Sequence, residues 1–137
     1  MSGVRESVEA KEAPVKYLLL IYVNPASREV WEALPEDERA EGFRAHAALN
    51  EELAALGELI LTEALADESL AKRVSIRKGE VIASDGPFAE AKEFLAGIYL
   101  IECDSMDRAV EVAARMPEAP FGEIEVRPVM ELKGMEI

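Results

Sequence analysis

Two stretches, Lys16–Val23 (KYLLLIYV) and Phe94–Cys103 (FLAGIYLIEC), are apolar at odd and even positions alike. Successive side chains of a strand point to opposite faces. A strand apolar on both faces must therefore be covered on both. In the first stretch Tyr17, Leu19 and Ile21 form one face and Leu18, Leu20 and Tyr22 the other. The remaining sequence offers only two long helical patterns, enough to cover one face of a small sheet. A monomer would expose the other, a larger apolar surface than soluble monomers usually carry. A second copy of the chain is the simplest cover, so a homodimer is expected.

The rest of the chain supplies the order of elements. Residues 1–14 are charged and non-periodic and end at Pro14, which reads as a mobile tail; residues 15–137 read as a single domain. Asn24-Pro25 ends the first strand, and a short helix is expected over Arg28–Leu34 around Trp31. Pro35, followed by Glu36, Asp37 and Glu38, suits the positive end of a helix dipole. That helix is expected to run to about Leu56 and stop at Gly57. Glu58–Ala64 reads as a strand, and Ala71–Ile76 with Glu80–Ser84 as a hairpin through Lys78-Gly79. After the Phe94–Cys103 strand, Asp104 or Ser105 caps a helix over Met106–Met116, stopped by Pro117. Ile124–Leu132 closes the pattern as a strand. A β-α-β unit, an inserted hairpin and a second β-α-β unit predict a ferredoxin-like α+β sandwich.

Composition narrows the function classes. The 137 residues are 50% apolar and 31% charged, as in soluble globular domains. No apolar run approaches the roughly 20 residues of a membrane span, and no basic segment precedes an apolar one at the N-terminus. A cytoplasmic protein without a membrane association is the expectation. A net charge of −13 opposes nucleic-acid binding, which needs a basic footprint. Cys103 stands alone inside an apolar strand and reads as a small buried hydrophobe. With one histidine and one cysteine a zinc site is not expected. Phosphate-loop, HExxH and GxSxG patterns are absent, so no cofactor is expected.

His46 is the single histidine. On a wheel of the long helix, Phe43, Ala47, Leu49, Leu53, Ala54 and Leu56 fill one half, and Glu41, Arg44, Glu51 and Glu52 the other. His46 and Asn50 fall within the apolar half, one turn apart and pointing the same way. They are either satisfied core residues or the wall of a cavity; histidine is the side chain that exchanges protons near neutral pH. Tyr99 on the central strand reads as core packing whose hydroxyl needs a partner. Asp85-Gly86-Pro87-Phe88 places a carboxylate, a free glycine and a rigid proline before that strand. Asp85 is expected to accept backbone N–H bonds within the turn, with Phe88 docked in the core. Glu90, Lys92 and Glu93 read either as site residues or as a solvated edge. Arg127 on the last strand has the fork that suits a carboxylate, or a pairing with Glu125 of a neighbouring subunit.

Five motifs in order resemble the YCII-related family and, within it, its DGPF-domain branch. They are YLLLIY at 17–22, the helix ending at Gly57, DGPFAEAKE at 85–93, Gly97-Ile98-Tyr99-Leu100-Ile101, and VRPVMEL at 126–132. The resemblance spans about 16–132. It implies a ferredoxin-like protomer paired into a dimeric α/β barrel, in a superfamily whose characterised members act on small, often aromatic ring compounds. A shorter branch is thought to use a His–Asp pair, and His46 lies eleven residues before Gly57, as the family histidine does; the matching aspartate is absent, with Glu58 and Asp67 near its place. Many DGPF-domain proteins resemble partners of extracytoplasmic-function sigma factors. Two functions compete: an enzyme in which His46 is acid or base, oriented by Asp85 or Glu58, with Asn50, Glu90, Lys92, Tyr99 and Arg127 around a small-molecule ligand; or a non-catalytic binding module acting with a sigma factor.

Overall fold

The computed structural model describes residues 14–131. Of the expected N-terminal tail only Pro14 falls within that span, and Leu132, the expected end of the last strand, falls outside it. The elements run β1 (Val15–Val23), α1 (Pro25–Ala33), α2 (Glu36–Ala55), β2 (Leu59–Ala64), β3 (Lys72–Arg77), β4 (Glu80–Asp85), β5 (Phe94–Cys103), α3 (Met106–Ala114) and β6 (Ile124–Pro128). β2, β5, β1 and β6 lie side by side in that order, each neighbour antiparallel, and β3 pairs with β4 in a separate hairpin. This is the ferredoxin-like α+β arrangement.

α1 begins three residues earlier than the sequence pattern suggests. Asn24 does more than end β1: its Oδ1 accepts from the Ser27 N–H at 2.8 Å while Ser27 Oγ accepts from the Asn24 N–H at 3.0 Å. This reciprocal cap, with Pro25 at the first helical position, starts the helix at once. α2 ends at Ala55, and two residues on Gly57 takes a φ of +75°, a conformation open to glycine. The Gly57 N–H bonds Ala54 O at 3.0 Å and the Glu58 N–H bonds Leu53 O at 2.9 Å, the paired closure that turns the chain into β2. α3 ends at Ala114, two residues short of Met116, which the following turn still buries at 1% exposure.

The core lies on one face of the sheet. Tyr17, Leu19 and Ile21 of β1 and Tyr99, Ile101 and Cys103 of β5 pack against Leu49 and Leu53 of α2 and Ala109, Val112 and Ala113 of α3. Only a narrow seam of α2 turns inward: His46, Leu49, Asn50 and Leu53, spaced i, i+3, i+4, i+7. Phe43, Ala47, Ala54 and Leu56, placed by the wheel on the apolar half, are exposed, because a helix lying on a sheet buries a stripe narrower than half its circumference. The opposite sheet face carries Leu18, Leu20, Ile98, Leu100 and Leu61; Leu20 is buried within the protomer, Leu18, Ile98 and Leu100 are partly buried, and Leu61 is exposed. No described helix is long and apolar enough to cross a membrane.

The Asp-Gly-Pro-Phe turn departs from expectation in two ways. Gly86 does take a positive φ of +79°, and its N–H bonds Ala71 O at 2.7 Å. The Asp85 carboxylate, however, pairs with Lys72, directly across the β3–β4 ladder, and not with the turn's own backbone. A register partner of opposite charge competes successfully with a local turn bond. Phe88 is 66% exposed and stays out of the core, lying under the Arg73 guanidinium at 5.1 Å. Because the Asp85 side chain is 84% exposed, Asp85→Asn and Asp85→Ala are each expected to change stability by about 0.5 kcal/mol or less in thermal melts at moderate salt. A loss well above that from either variant would show that the carboxylate supports the turn after all.

Candidate functional site

A cavity of about 350 Å³ opens between α1, α2, the start of β5, the chain after β2 and the segment joining α3 to β6. Its apolar wall is Trp31, Phe43, Leu65, Leu95, Pro117 and Phe121, with Trp31 and Phe43 meeting edge to face at 5.5 Å. Its polar groups are His46, Glu118, Arg28, Asp67, Glu68 and Glu123.

His46 is held at both ring nitrogens. Nδ1 lies 2.9 Å from Tyr99 Oη, and Nε2 lies 2.9 Å from each oxygen of Glu118. Tyr99 directs its hydroxyl proton to Asn50 Oδ1. A phenol has one proton, so Tyr99 must accept from His46, which places a hydrogen on Nδ1. The tautomer is thus assigned from the network. Burial, above all, pushes the Tyr99 phenol upward from its ordinary range, so it remains a hydroxyl and holds this chain of bonds in place. On the other side of the ring Nε2 faces the Glu118 carboxylate. The two side chains are 22% and 32% exposed, enough to meet a ligand.

The backbone accounts for this assembly. His46 and Asn50 share the inward seam of α2, and Tyr99 stands on the helix-facing side of β5, 2% exposed. Glu118 follows Met116 and Pro117, and the short 3₁₀ turn Ala119–Phe121 ends at Gly122 with φ +73°. That reversal brings Glu123 back against β1. Glu123 is 8% exposed; its Oε1 accepts from Asn24 Nδ2 at 3.1 Å and its Oε2 meets no donor. Burial, then the neighbouring Glu93 carboxylate, push its carboxyl upward from the usual range. Arg28 makes a two-pronged bond to Glu68 at 2.8 and 2.7 Å.

Of the residues singled out in the sequence, His46, Asn50 and Tyr99 come together here. Asp85 does not: it ends β4, paired with Lys72. Glu58 bonds Arg108 at 2.8 Å. Glu90 and Lys92 are exposed and line no part of the cavity. Arg127 is exposed on β6, 4.0 Å from Glu125 of its own chain. The carboxylate beside His46 is Glu118, 72 residues away in sequence. Neither its spacing nor its neighbours single it out, although its place just after a helix-ending proline marks it as a loop residue. Arg28, Trp31 and Glu123 likewise carry no motif. Among the described residues no group of three or more His, Cys, Asp or Glu is arranged to hold a metal ion.

A family model described as the YCII-related domain matches residues 15–133. An uncharacterised protein of Rhizobium meliloti (strain 1021) is 35% identical over 123 residues, covering 88% of this chain and 97% of that protein.

Proposed function

The chain belongs to the YCII-related family, and from that premise we propose that it is an enzyme that moves a proton on a small organic molecule held between α2 and the sheet. One observation carries this: a histidine with both ring nitrogens at hydrogen-bond distance from partners, Tyr99 at Nδ1 and the Glu118 carboxylate at Nε2, on the wall of a cavity of about 350 Å³. That volume lies within the range of roughly 300–1,000 Å³ usual for small-ligand sites. Tyr99 and Asn50 orient the ring, and the His46–Glu118 pair takes a proton from the ligand and returns it. Such general acid–base catalysis is worth about 10²–10⁴ in rate. The apolar and aromatic wall suits a flat, largely apolar ligand. The working unit in this reading is a cytoplasmic homodimer, with the second copy covering the Leu18, Leu20, Ile98 and Leu100 face.

The test is proton exchange. Small carbonyl and phenolic compounds that bind the cavity, identified by protein-observed NMR, are incubated in D₂O and their C–H exchange is followed. The wild type is expected to catalyse exchange of at least one, and His46→Ala and Glu118→Gln to slow it by about 10²-fold or more with binding retained. Full activity in His46→Ala would remove the histidine from the chemistry. Binding without exchange by the wild type would favour a sigma-factor-associated regulatory module instead.

A further inference from the structure

The wall of the cavity is charged unevenly. Asp67, Glu68, Glu118 and Glu123 line it against Arg28 and the His46 ring. Both are already matched. Arg28 has each terminal nitrogen on a Glu68 oxygen, at 2.8 and 2.7 Å, with Asp67 a further 3.8 Å away. His46 Nε2 faces both oxygens of Glu118. An anionic ligand entering here finds no uncommitted cation in the wall.

An acceptor, by contrast, stands open. Asp67 receives the Ser69 N–H and hydroxyl at 3.0 and 2.6 Å, but Glu123 has a single donor, Asn24 Nδ2, on Oε1. Its Oε2 is buried without any hydrogen-bond partner. Buried polar atoms are nearly always satisfied, and one that is not marks a missing partner. The adjacent group is Glu93, a second carboxyl within hydrogen-bonding reach, so the two acceptors together call for a donor between them. The aromatic rings tell the same way, since the faces of Trp31, Phe43 and Phe121 attract cations. Phe43 is 66% exposed and Phe121 41%, and both line the cavity. The chain's net charge of −13 raises the local concentration of small cations.

We propose that this cavity binds a small organic amine, its ammonium group donating to Glu123 and its apolar body lying against Trp31, Phe43 and Phe121. The proposal rests on the proton-transfer reading only in placing the ligand in the same cavity, and it names the class of molecule that fills it. An ammonium supplies three donors, one for the unpartnered Oε2 and the others for water.

Three probes of nearly equal shape separate the possibilities: benzylamine, benzyl alcohol and benzoate, titrated into the full-length protein at near-physiological salt with NMR detection. Benzylamine is expected to bind about 10-fold or more tightly than benzoate, a difference of one charged contact. Glu123→Gln should weaken benzylamine about 10-fold and benzyl alcohol by less than about 2-fold. Phe43→Leu, an exposed position, should weaken all three and guards against a folding defect in the first variant. Benzoate binding as tightly as the amine, an amine affinity untouched by Glu123→Gln, or an equal loss for amine and alcohol would each overturn the assignment. If benzyl alcohol binds and benzylamine gains nothing, the amine fails while the proton-transfer reading stands. If a cavity ligand shows exchange that survives His46→Ala, the proton-transfer reading fails whichever probe binds best.

Discussion

In the homodimer proposed above, Leu100→Glu is expected to leave a monomer of 15.0 kDa chain mass. In the ladder, Leu100 sits between Leu18 of β1 and Leu61 of β2, near the middle of the apolar face that the helices leave bare. The rim is charged: Glu63, Glu102, Lys16 and Arg127 stand around it on the same strands. A stable interface of standard size buries roughly 800 Å² per partner, and apolar area stabilises by about 25 cal/mol per Å². Association itself costs about 4–15 kcal/mol, and ordering side chains and desolvating polar groups cost more, so only part of that gain appears as affinity. A carboxylate forced unpaired into the centre costs several kcal/mol, and each 1.4 kcal/mol is about tenfold in Kd. A weakening of at least about 10³-fold follows. Light scattering gives the mass, and far-UV circular dichroism confirms that each protomer remains folded. Leu100 is only partly buried within the protomer, so the substitution leaves the core intact. A wild type that is already monomeric at micromolar concentration would end the dimer proposal, and so would a Leu100→Glu protein that stays dimeric.

The sheet was legible because its signal is local and strong. KYLLLIYV and FLAGIYLIEC state their own burial, and Pro35, Gly57, Ser105 and Pro117 mark helix ends through backbone chemistry that requires no partner. Apart from the start of α1, which a local Asn24–Ser27 cap decides, the departures turn on contacts distant in sequence. The wheel gave Phe43 to the core because it counts hydrophobicity and cannot see that the sheet receives only the His46–Leu53 seam. Phe88 went the same way, since its partner is Arg73, a cation on another strand. His46 was identifiable as inward and polar, and with it Asn50, because i, i+4 spacing is read directly from sequence. Its carboxylate was not. Asp85 stood in a conspicuous motif and Glu118 in none, yet what matters is which loop returns to the mouth of the cavity. A polar group's role depends on partners that folding brings from elsewhere, whereas an apolar residue's role depends mainly on its own period.

Glu58 shows the same lesson as a measurable quantity. From sequence it is a candidate to orient His46; in the structure it closes the junction of α2 with β2. Arg108 of α3 donates to its two oxygens from Nε at 3.1 Å and Nη2 at 2.8 Å, and Nη1 turns to Glu111. The Glu58 backbone is fixed as well, its N–H on Leu53 O and its carbonyl receiving the Glu102 N–H at 2.8 Å. The pair is 17% and 23% exposed, so it is neither a surface ion pair nor a fully buried one. Removing one partner of a buried pair costs about 3–5 kcal/mol, and of an exposed pair under about 1. Arg108→Leu, which strands the Glu58 carboxylate, is therefore expected to cost about 2 kcal/mol. Glu58→Leu should cost less, since Arg108 keeps Glu111. The double variant should recover much of the loss, because two apolar side chains of similar size replace a broken pair without an unpaired charge. The exposed pair Arg115–Glu52, at 42% and 46%, is the control, and Arg115→Leu should cost clearly less than Arg108→Leu. Urea denaturation of the four variants yields the coupling directly. If Glu58 only braces the fold, its loss lowers stability and leaves the rate at His46 unchanged. A Glu58→Leu protein with unaltered stability and no activity would return Glu58 to the site and displace Glu118 from it.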